Sequence, residues 1–503
     1  MAKTIANTQE IGFEKQIWSA ADEMRGNIDA SEYKQVILGL IFLKYISDKF
    51  EQRHHELLKE GDGFEEDRDE YTAEHIFWVP KCARWKVIAK NAHTPEIGKI
   101  IDAAMLAIEE ENKSLKGILP TNFARPELDK TRLGNVVDLF SNIKMAEHGD
   151  TRDILGRTYE YCLGKFAEQE GKNAGQFYTP ACIVKTLVNV IEPFRGRVYD
   201  PCCGSGGMFV QSAEFVREHA GNINNISIYG QESNATTWKM AKMNLAIRGL
   251  ESELGDYNAD TFLNDCHKNE RFDFILANPP FNLDKWGGDK LKDDPRWKYG
   301  IPPEGNANYA WLQHMIYHLS PAGGKIGMVL ANGSLSSQTG GEGQIRQAIV
   351  DADLVDGIVA MPTSLFYTAK IPVTLWFLSN NKAQTKKTLF IDARNMGTMV
   401  TRSLREFTTD DINTIANTFK SFHEGTLENA KGFCAVADID EIAKQDYILT
   451  PGRYVGIPDQ EDDGEPFDEK MKRLTGELKK LFKESHELED EIKKNLGGIG
   501  FEF

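Results

Sequence analysis

The sequence has little of the material from which disulfide scaffolds, zinc sites and membrane spans are built. Its 503 residues include only seven cysteines, an odd number without any C-x-x-C pair, which argues against a disulfide framework and against a zinc site. The longest apolar stretch, near Val36 to Leu43, is too short to cross a bilayer, and the first residues lack the apolar segment of an export signal. The composition therefore predicts a protein with no membrane association, and a reducing cytoplasm is its expected location.

An excess of positive charge is also lacking. The chain has 59 lysines and arginines against 76 aspartates and glutamates, a net charge of -17, which is the wrong sign for gripping a polyanion unaided. With 41% hydrophobic and 27% charged residues, it has the composition of an ordinary globular protein of two or three domains. If nucleic acid is the substrate, local patches or a partner must supply the affinity.

The chain divides into three regions that differ in the spacing of their apolar residues. Residues 1–150 show apolar residues at helical spacing and no catalytic constellation, and the aromatic segment HIFWVPKCARW within them is expected to pack on the helices. Residues 151–400 alternate short apolar runs with helix-like stretches, which predicts an α/β fold with a doubly wound, mostly parallel, Rossmann-like sheet. The predicted strands are RVYD (197–200), ISIYGQE (226–232), FDFILA (272–277), KIGMVLA (325–331), VDGIVA (355–360) and PVTLWFL (372–378).

Residues 401–503 form a C-terminal extension that ends in a heptad pattern. Apolar residues follow one another there at alternating steps of four and three, with one serine in the series: Phe467, Met471, Leu474, Leu478, Leu481, Ser485, Leu488 and Ile492. This spacing predicts a long helix of the coiled-coil type. Two alternatives remain open, because the helix could fold back on its own core or dock against a partner helix.

Chemistry-bearing residues follow the predicted strands, where ligands sit in open α/β sheets. The first strand ends at Asp200 and leads into a glycine loop, Gly204 to Gly207, whose backbone can approach a ligand closely. The third glycine of a G-x-G-x-x-G motif is missing, since residue 209 is Phe. Glu232 follows the second strand and can accept both hydroxyls of a ribose, as sites for NAD and for S-adenosylmethionine require. Asp260 could accept from an adenine amino group, although Asp at such a turn is also a common helix cap.

The most informative motif is Asn278-Pro279-Pro280-Phe281, at the end of FDFILA. Two successive prolines fix the backbone and remove two donors, which leaves the Asn278 side-chain oxygen and the Pro279 carbonyl to accept from a ligand. An exocyclic amine has two N–H groups that need two acceptors, and Phe281 supplies a flat face for stacking. The motif therefore predicts a cup for a planar base that carries an amino group.

These motifs, in this order, resemble those of DNA adenine-N6 methyltransferases of the gamma class. The resemblance rests on QFYTP (176–180), DPCCGSGG, Glu232, NPPF, NANYAWLQHMI and GGKIGMVLANG. The N-terminal run IWSAADEMRGNIDASEYKQVILGLIFLKYISDKF resembles the helical domain of the modification subunit of type I restriction-modification systems. The resemblance extends from Ile11 to the heptad tail.

The resemblance implies S-adenosylmethionine as the cofactor and no metal. It assigns cofactor binding to Gln176, Phe177, Tyr178, Thr179, Pro180, Ala181, Asp200, Gly204, Ser205, Gly206, Gly207, Glu232 and Asp260. It assigns the target adenine to Asn278, Pro279, Pro280 and Phe281. That adenine must be flipped out of the duplex, because its N6 atom is otherwise enclosed in the base stack.

The resemblance also implies partners. Besides DNA, these are a separate specificity subunit that reads the sequence, with two modification subunits for each, and a restriction and motor subunit. Two alternatives to the modification subunit stay open: a methyltransferase acting on RNA or on a protein amide, and a catalytically silent scaffold. The segment 284–303 after the cup, rich in charged and aromatic residues, is expected to be either a flexible loop that orders over DNA or a mobile solvated loop.

Overall fold

The computed structural model describes residue 18 and residues 30–142, 158–166, 178–219, 221–366, 371–401, 404–457 and 467–498. The chain forms two units, residues 1–456 and residues 457–503. Within the described ranges, none of the helices combines the length and the apolar character that crossing a membrane requires.

The first part of the chain is helical, as its apolar spacing predicts. Its helices are α1 (Ala30–Glu60), α2 (Asp69–Thr72), α3 (Trp85–Lys90), α4 (Ile97–Glu111) and α5 (Lys130–Asn142). Nearly all side chains from Tyr33 to Ile46 are buried, so α1 forms the core of this region. The aromatic segment packs on the helices, because the Trp85 indole donates to Ser141 Oγ at 2.8 Å and its ring stacks on Phe140.

A mostly parallel sheet organises the part of the chain that follows, and each of the six predicted strands is present. The strands are β1 (Gly196–Asp200), β2 (Ile226–Gly230), β3 (Ser252–Glu253), β4 (Phe274–Ala277), β5 (Lys325–Ala331), β6 (Val355–Ala360), β7 (Val373–Ser379), β8 (Lys387–Asp392), β9 (Thr398–Met399), β10 (Arg405–Glu406) and β11 (Cys434–Asp438). Among the described residues the strand order in the large sheet is β11-β8-β6-β7-β5-β4-β1-β2-β3, and β9 and β10 form a separate hairpin. In this sheet β7 is antiparallel to β5 and β6, β11 is antiparallel to β8, and the other pairs are parallel.

Helices cover both faces of the sheet, which makes it doubly wound. They are α6 (Ala181–Ile191), α7 (Gly207–Glu218), α8 (Ala235–Ile247), α9 (Asn308–Tyr317), α10 (Glu342–Asp351), α11 (Thr409–Glu424) and α12 (Ile439–Lys444). Successive residues of β1 contact opposite layers, since Val198 packs in the cluster that contains α6, α7 and α8, whereas Tyr199 packs in the cluster that contains α9 and α10. Because both faces are covered, β6 and β7 are buried along their whole length and are almost continuously apolar.

Part of the chain after residue 400 belongs to this sheet. β11 pairs with β8 from Cys434 opposite Ile391 to Asp438 opposite Lys387, and Phe419 of α11 packs against Gly357 of β6. We therefore propose that the catalytic region extends to about residue 456, where the first unit ends, rather than to residue 400.

The second unit contains α13 (Phe467–Gly498), a single helix of 32 residues at the place where the heptad pattern predicts one. The side chains of the heptad series that are large and apolar are between 42% and 74% exposed: Phe467, Met471, Leu474, Leu478, Leu481, Leu488 and Ile492. Called the heptad stripe below, they form an apolar line along one side of a charged helix.

Candidate active site

The predicted site residues meet at one edge of the sheet because the strands that carry them are parallel neighbours. β1 lies between β4 and β2. Asp200 is the last residue of β1, Glu232 follows β2 by two residues, and Asn278 follows the last residue of β4. The carboxyl ends of parallel strands share an edge, so side chains that are 78 positions apart along the chain, Asp200 and Asn278, line the same slot.

The glycine loop between β1 and α7 is held tightly and leaves open space beside it. Gly204 and Gly206 have φ values of +54° and +83°, a left-handed conformation that favours glycine. The loop is fixed from outside, because the Ser205 carbonyl accepts from the Asn244 side chain at 2.7 Å. At Gly207 an added Cβ would meet no described heavy atom within 4 Å. The loop therefore leaves room for a ligand at the start of α7.

Two buried carboxylates face this loop. Glu232 accepts from the Gly204 N–H at 3.0 Å through Oε2 and from the Asn234 N–H at 2.8 Å through Oε1. Asp200 accepts from the Cys202 N–H at 3.0 Å. Burial raises the pKa of Asp200 to about 7, helped by the negative charge of Glu232, and burial likewise raises the pKa of Glu232. A cationic ligand, or one rich in hydroxyl donors, would relieve both carboxylates.

A cleft of about 610 Å³ begins at Glu232, and its size suits a nucleoside-sized ligand. Glu232 and Asp260 line it, together with an aromatic wall in which Phe262 and Trp311 lie 4.2 Å apart between ring centroids. The Asp260 carboxylate caps the following turn, as its Oδ1 accepts from two backbone N–H groups at 2.9 Å. Both predicted functions of Asp260 are compatible with this position, since each carboxylate oxygen can accept more than one bond.

A narrow slot continues from the cleft, and Cys202 lines both. The slot runs between Thr179 and the glycine loop to Asn278. The Asn278 side-chain nitrogen donates to Thr179 Oγ1 at 2.9 Å, whereas its Oδ1 is buried without a hydrogen-bond partner in the described chain. An unsatisfied buried acceptor costs about 1–3 kcal/mol, so this oxygen is positioned for a donor that a ligand would bring.

The other members of the predicted cup and lid are placed as follows. Pro280 lines the cleft, and Phe281 is half-buried with its ring edge-on to Phe366 at 6.1 Å. Tyr178 and Ala181 line the slot. Pro180 precedes α6, and its carbonyl accepts the first bonds of that helix. Gln176 and Phe177 lie outside the described residues.

Sequence reasoning missed that the N-terminal helices contribute to the cleft. Lys34 and Gln35 of α1 are among its lining residues, and the Gln35 side-chain nitrogen donates to Thr236 Oγ1 of α8 at 3.3 Å. No sequence signal marks this contact, because the partners are 201 residues apart and each has an ordinary place on a helix.

The segment 284–303 is less exposed than either sequence expectation required. Trp286 and Trp297 are buried in the core, and Arg296 is only 6% exposed. The Arg296 guanidinium forms an ion pair with Asp294 at 2.8 Å and donates to the Phe262 carbonyl at 2.7 Å. The expectation of a solvated or DNA-ordered loop is therefore wrong for these three side chains. Arg296 instead braces the wall of the cleft.

A buried group of Asp265, His314 and His318 has the spacing of metal ligands, but its atoms already have partners. His318 bonds Asp265 at 3.0 Å through Nε2 and the Glu270 carbonyl at 3.1 Å through Nδ1. His314 Nδ1 lies 3.1 Å from the Arg296 guanidinium, and burial holds the pKa of His314 well below its usual range. The three side chains therefore form a buried, hydrogen-bonded cluster beside Arg296, in which His314 is the neutral member.

Comparison with known proteins agrees with this geometry. The model of the N-6 DNA methylase family matches residues 150–463, and that of the HsdM N-terminal domain matches residues 13–140. The chain belongs to the N-6 DNA methylase family. The methyltransferase fold and the family predicted from the motifs are thereby confirmed.

The similarity of this methylase to known relatives covers most of its length. The type I restriction enzyme HindI methylase subunit of Haemophilus influenzae is 50% identical over 84% of this chain and 100% of the relative. The MjaIX methylase subunit of Methanocaldococcus jannaschii is 42% identical over 97% of this chain and 92% of the relative. The crystal structure of the methyltransferase subunit of a type I system from Streptococcus thermophilus superimposes with a TM-score of 0.76 at 26% identity, covering 89% of this chain and 99% of that one.

Proposed function

We propose that this methylase transfers a methyl group from S-adenosylmethionine to N6 of a flipped adenine in double-stranded DNA, as the modification subunit of a type I complex. The observation that carries the proposal is the Asn278 Oδ1, which is buried without a hydrogen-bond partner among the described residues. It lies in a slot that Asp200 lines and that meets the cleft of Glu232 at Cys202. Family membership and the names of the relatives support the same reaction.

The residues present fit the cofactor. Glu232 would hold the ribose hydroxyls, Asp260 would accept from the adenine, and the open space at Gly207 would admit the methionine part. When bound, S-adenosylmethionine supplies an electrophilic methyl group. Burial disfavours the charged form of Asp200, and a neighbouring cation would favour that ionised form again.

The cup needs no strong base. Asn278 Oδ1 and the Pro279 carbonyl would accept the two N–H groups of the target amine, which draws the nitrogen lone pair out of conjugation with the ring. Phe281 would stack on the base, and Phe366 holds the Phe281 ring from its edge. Placement of the amine at the end of the slot supplies the in-line geometry. Flipping the adenine costs a few kcal/mol, which contacts with the cup would offset.

The test measures which polymer accepts a labelled methyl group. The chain is purified with its specificity subunit and incubated with methyl-labelled S-adenosylmethionine and DNA, RNA or protein. We expect the label in the adenine of DNA from a methylation-free host and no label in DNA that the same complex has methylated beforehand. Label in RNA or protein instead would favour the alternative substrates, and a complex that never binds the cofactor would favour the scaffold.

The net charge of -17 and the heptad stripe support a division of labour in which a specificity subunit supplies much of the DNA affinity and docks on α13. In the assembled restriction enzyme, a motor and nuclease subunit would join. Replacing Leu478 and Leu481 by Glu should abolish co-purification with the specificity subunit. The matched replacement of Lys479 and Lys480 by Glu, on the same helix, should leave it intact. An intact complex with both pairs would overturn the docking function proposed for the heptad stripe.

A further inference from the structure

The amide of Asn278 has two ends of nearly equal shape and opposite hydrogen-bonding character. Its nitrogen donates to Thr179 Oγ1 at 2.9 Å, and its oxygen is buried without a partner in the described part of the chain. Only the oxygen can accept from an adenine N6 amine, because the nitrogen end carries two donors. The direction in which the amide points therefore decides whether the cup can hold adenine.

We infer that Thr179 is a positioning residue whose hydroxyl holds the Asn278 amide with its oxygen toward the target base. The inference rests on the proposed function, and it adds to the cofactor contact that the resemblance assigns to Thr179. A hydroxyl can accept from the amide nitrogen or donate to the amide oxygen; in the structure Thr179 Oγ1 accepts, which leaves the amide oxygen facing the opposite way. Thr179 stands close to the start of α6, in a part of the chain remote in sequence from β4, so the bond ties two elements together across the slot.

The surroundings make this bond decisive. Asn278 follows the last residue of β4 and precedes two prolines, so its backbone is fixed and the side-chain torsion is the remaining freedom. Among the described residues the Asn278 oxygen has no hydrogen-bond partner, so the orientation of the amide is held from its nitrogen end. Without the hydroxyl the amide loses the bond that anchors it in the observed orientation. A reversed amide presents donors where the adenine amine also presents donors. Like groups meeting there would weaken adenine binding.

The inference predicts a change in base preference as well as in rate. Hypoxanthine carries a carbonyl where adenine carries its amine, so a reversed amide would favour hypoxanthine and the native orientation favours adenine. Duplexes containing the recognition site of the complex, with adenine or hypoxanthine at the target position, measure this preference by competition binding. Contacts made by the specificity subunit are the same in every variant, so the change in the adenine to hypoxanthine ratio reports on the cup.

The experiment compares Thr179→Val, Thr179→Ser and the matched surface variant Thr131→Val in the complete complex. We expect Thr179→Val to lower kcat and the adenine to hypoxanthine ratio by about fivefold to tenfold, the loss of one hydrogen bond, with the cofactor Kd changed by less than about threefold. Thr179→Ser should restore most of both, and Thr131→Val should match the native complex.

Two results separate the possible failures. If Thr179→Val changes only the cofactor Kd, or leaves kcat and the base ratio at native values, Thr179 does not position Asn278 and the inference is overturned while the proposed function stands. If the native complex transfers no methyl group to DNA, the proposed function itself fails, and the inference fails with it.

Discussion

Protonation of Asp200 should control how tightly the cofactor binds. Asp200 is 2% exposed, accepts one backbone bond from Cys202 and faces the charge of Glu232, and burial raises its pKa to about 7. A cationic ligand beside it is favoured only when the carboxylate is ionised. We therefore expect S-adenosylmethionine to bind more weakly as the pH falls through about 7.

The size of the effect follows from the ionised fraction. With a pKa of about 7, roughly nine tenths of Asp200 is ionised at about pH 8 and roughly one tenth at about pH 6, so the Kd should rise about tenfold, or about 1.4 kcal/mol. In Asp200→Asn the side-chain oxygen can still accept the Cys202 N–H, but the pH dependence should be largely lost.

Titration calorimetry at several pH values gives the measurement. S-adenosylhomocysteine serves as the control ligand, since it has the same amino and carboxyl groups without the sulfonium charge, and its Kd should change less. The reasoning is refuted if S-adenosylmethionine binds equally well at both ends of the pH range, or if Asp200→Asn keeps the native slope.

Further substitutions separate effects on cofactor binding from effects on folding. Gly207→Ala should leave the melting temperature unchanged, because the added Cβ meets no described atom, yet it should weaken cofactor binding at least tenfold by calorimetry. Gly206→Ala, at φ +83°, should lower the free energy of unfolding in denaturant by about 1–2 kcal/mol. Arg296→Ala should destabilise the protein by about 3 kcal/mol or more, because it leaves the Asp294 carboxylate without its ion pair and two backbone carbonyls without their hydrogen bonds. The control Lys290→Ala, at an exposed position, should leave the free energy of unfolding unchanged. Glu232→Gln should weaken binding of the cofactor more than binding of a 2′,3′-dideoxyribose analogue, and equal losses would argue against a ribose contact.

The sheet edge could be predicted from sequence because its strands and its chemistry alternate in a regular way. Each buried parallel strand is a short apolar run, and Asp200, Glu232 and Asn278 lie at the ends of three such runs or within two residues after them. The heptad spacing predicted α13 for a similar reason, since a period of four and three is specific for one kind of helix.

The remaining features depend on contacts between residues that are remote along the chain. β11 is a short, weakly patterned strand that belongs to the sheet only because β8 offers a free edge. Arg296 lies in a segment whose composition indicates solvent exposure. It can be buried only because Asp294, two backbone carbonyls and the neutral His314 all bond its guanidinium. Gln35 reaches the cleft through the packing of α1 on α8. Neither the periodicity nor the composition of the sequence indicates such long-range contacts.

The central claim is that Asn278 holds a target adenine for methylation at N6. The direct test is mass spectrometry of N6-methyladenine in DNA from a methylation-free host that expresses this chain with its specificity subunit, as the native chain, as Asn278→Ala and as Asn224→Ala. Asn224 is an exposed asparagine just before β2, at the opposite end of that strand from Glu232. The account predicts methyladenine with the native chain and with Asn224→Ala, and none with Asn278→Ala while the complex still assembles and binds the cofactor. Methyladenine at native levels with Asn278→Ala would contradict it.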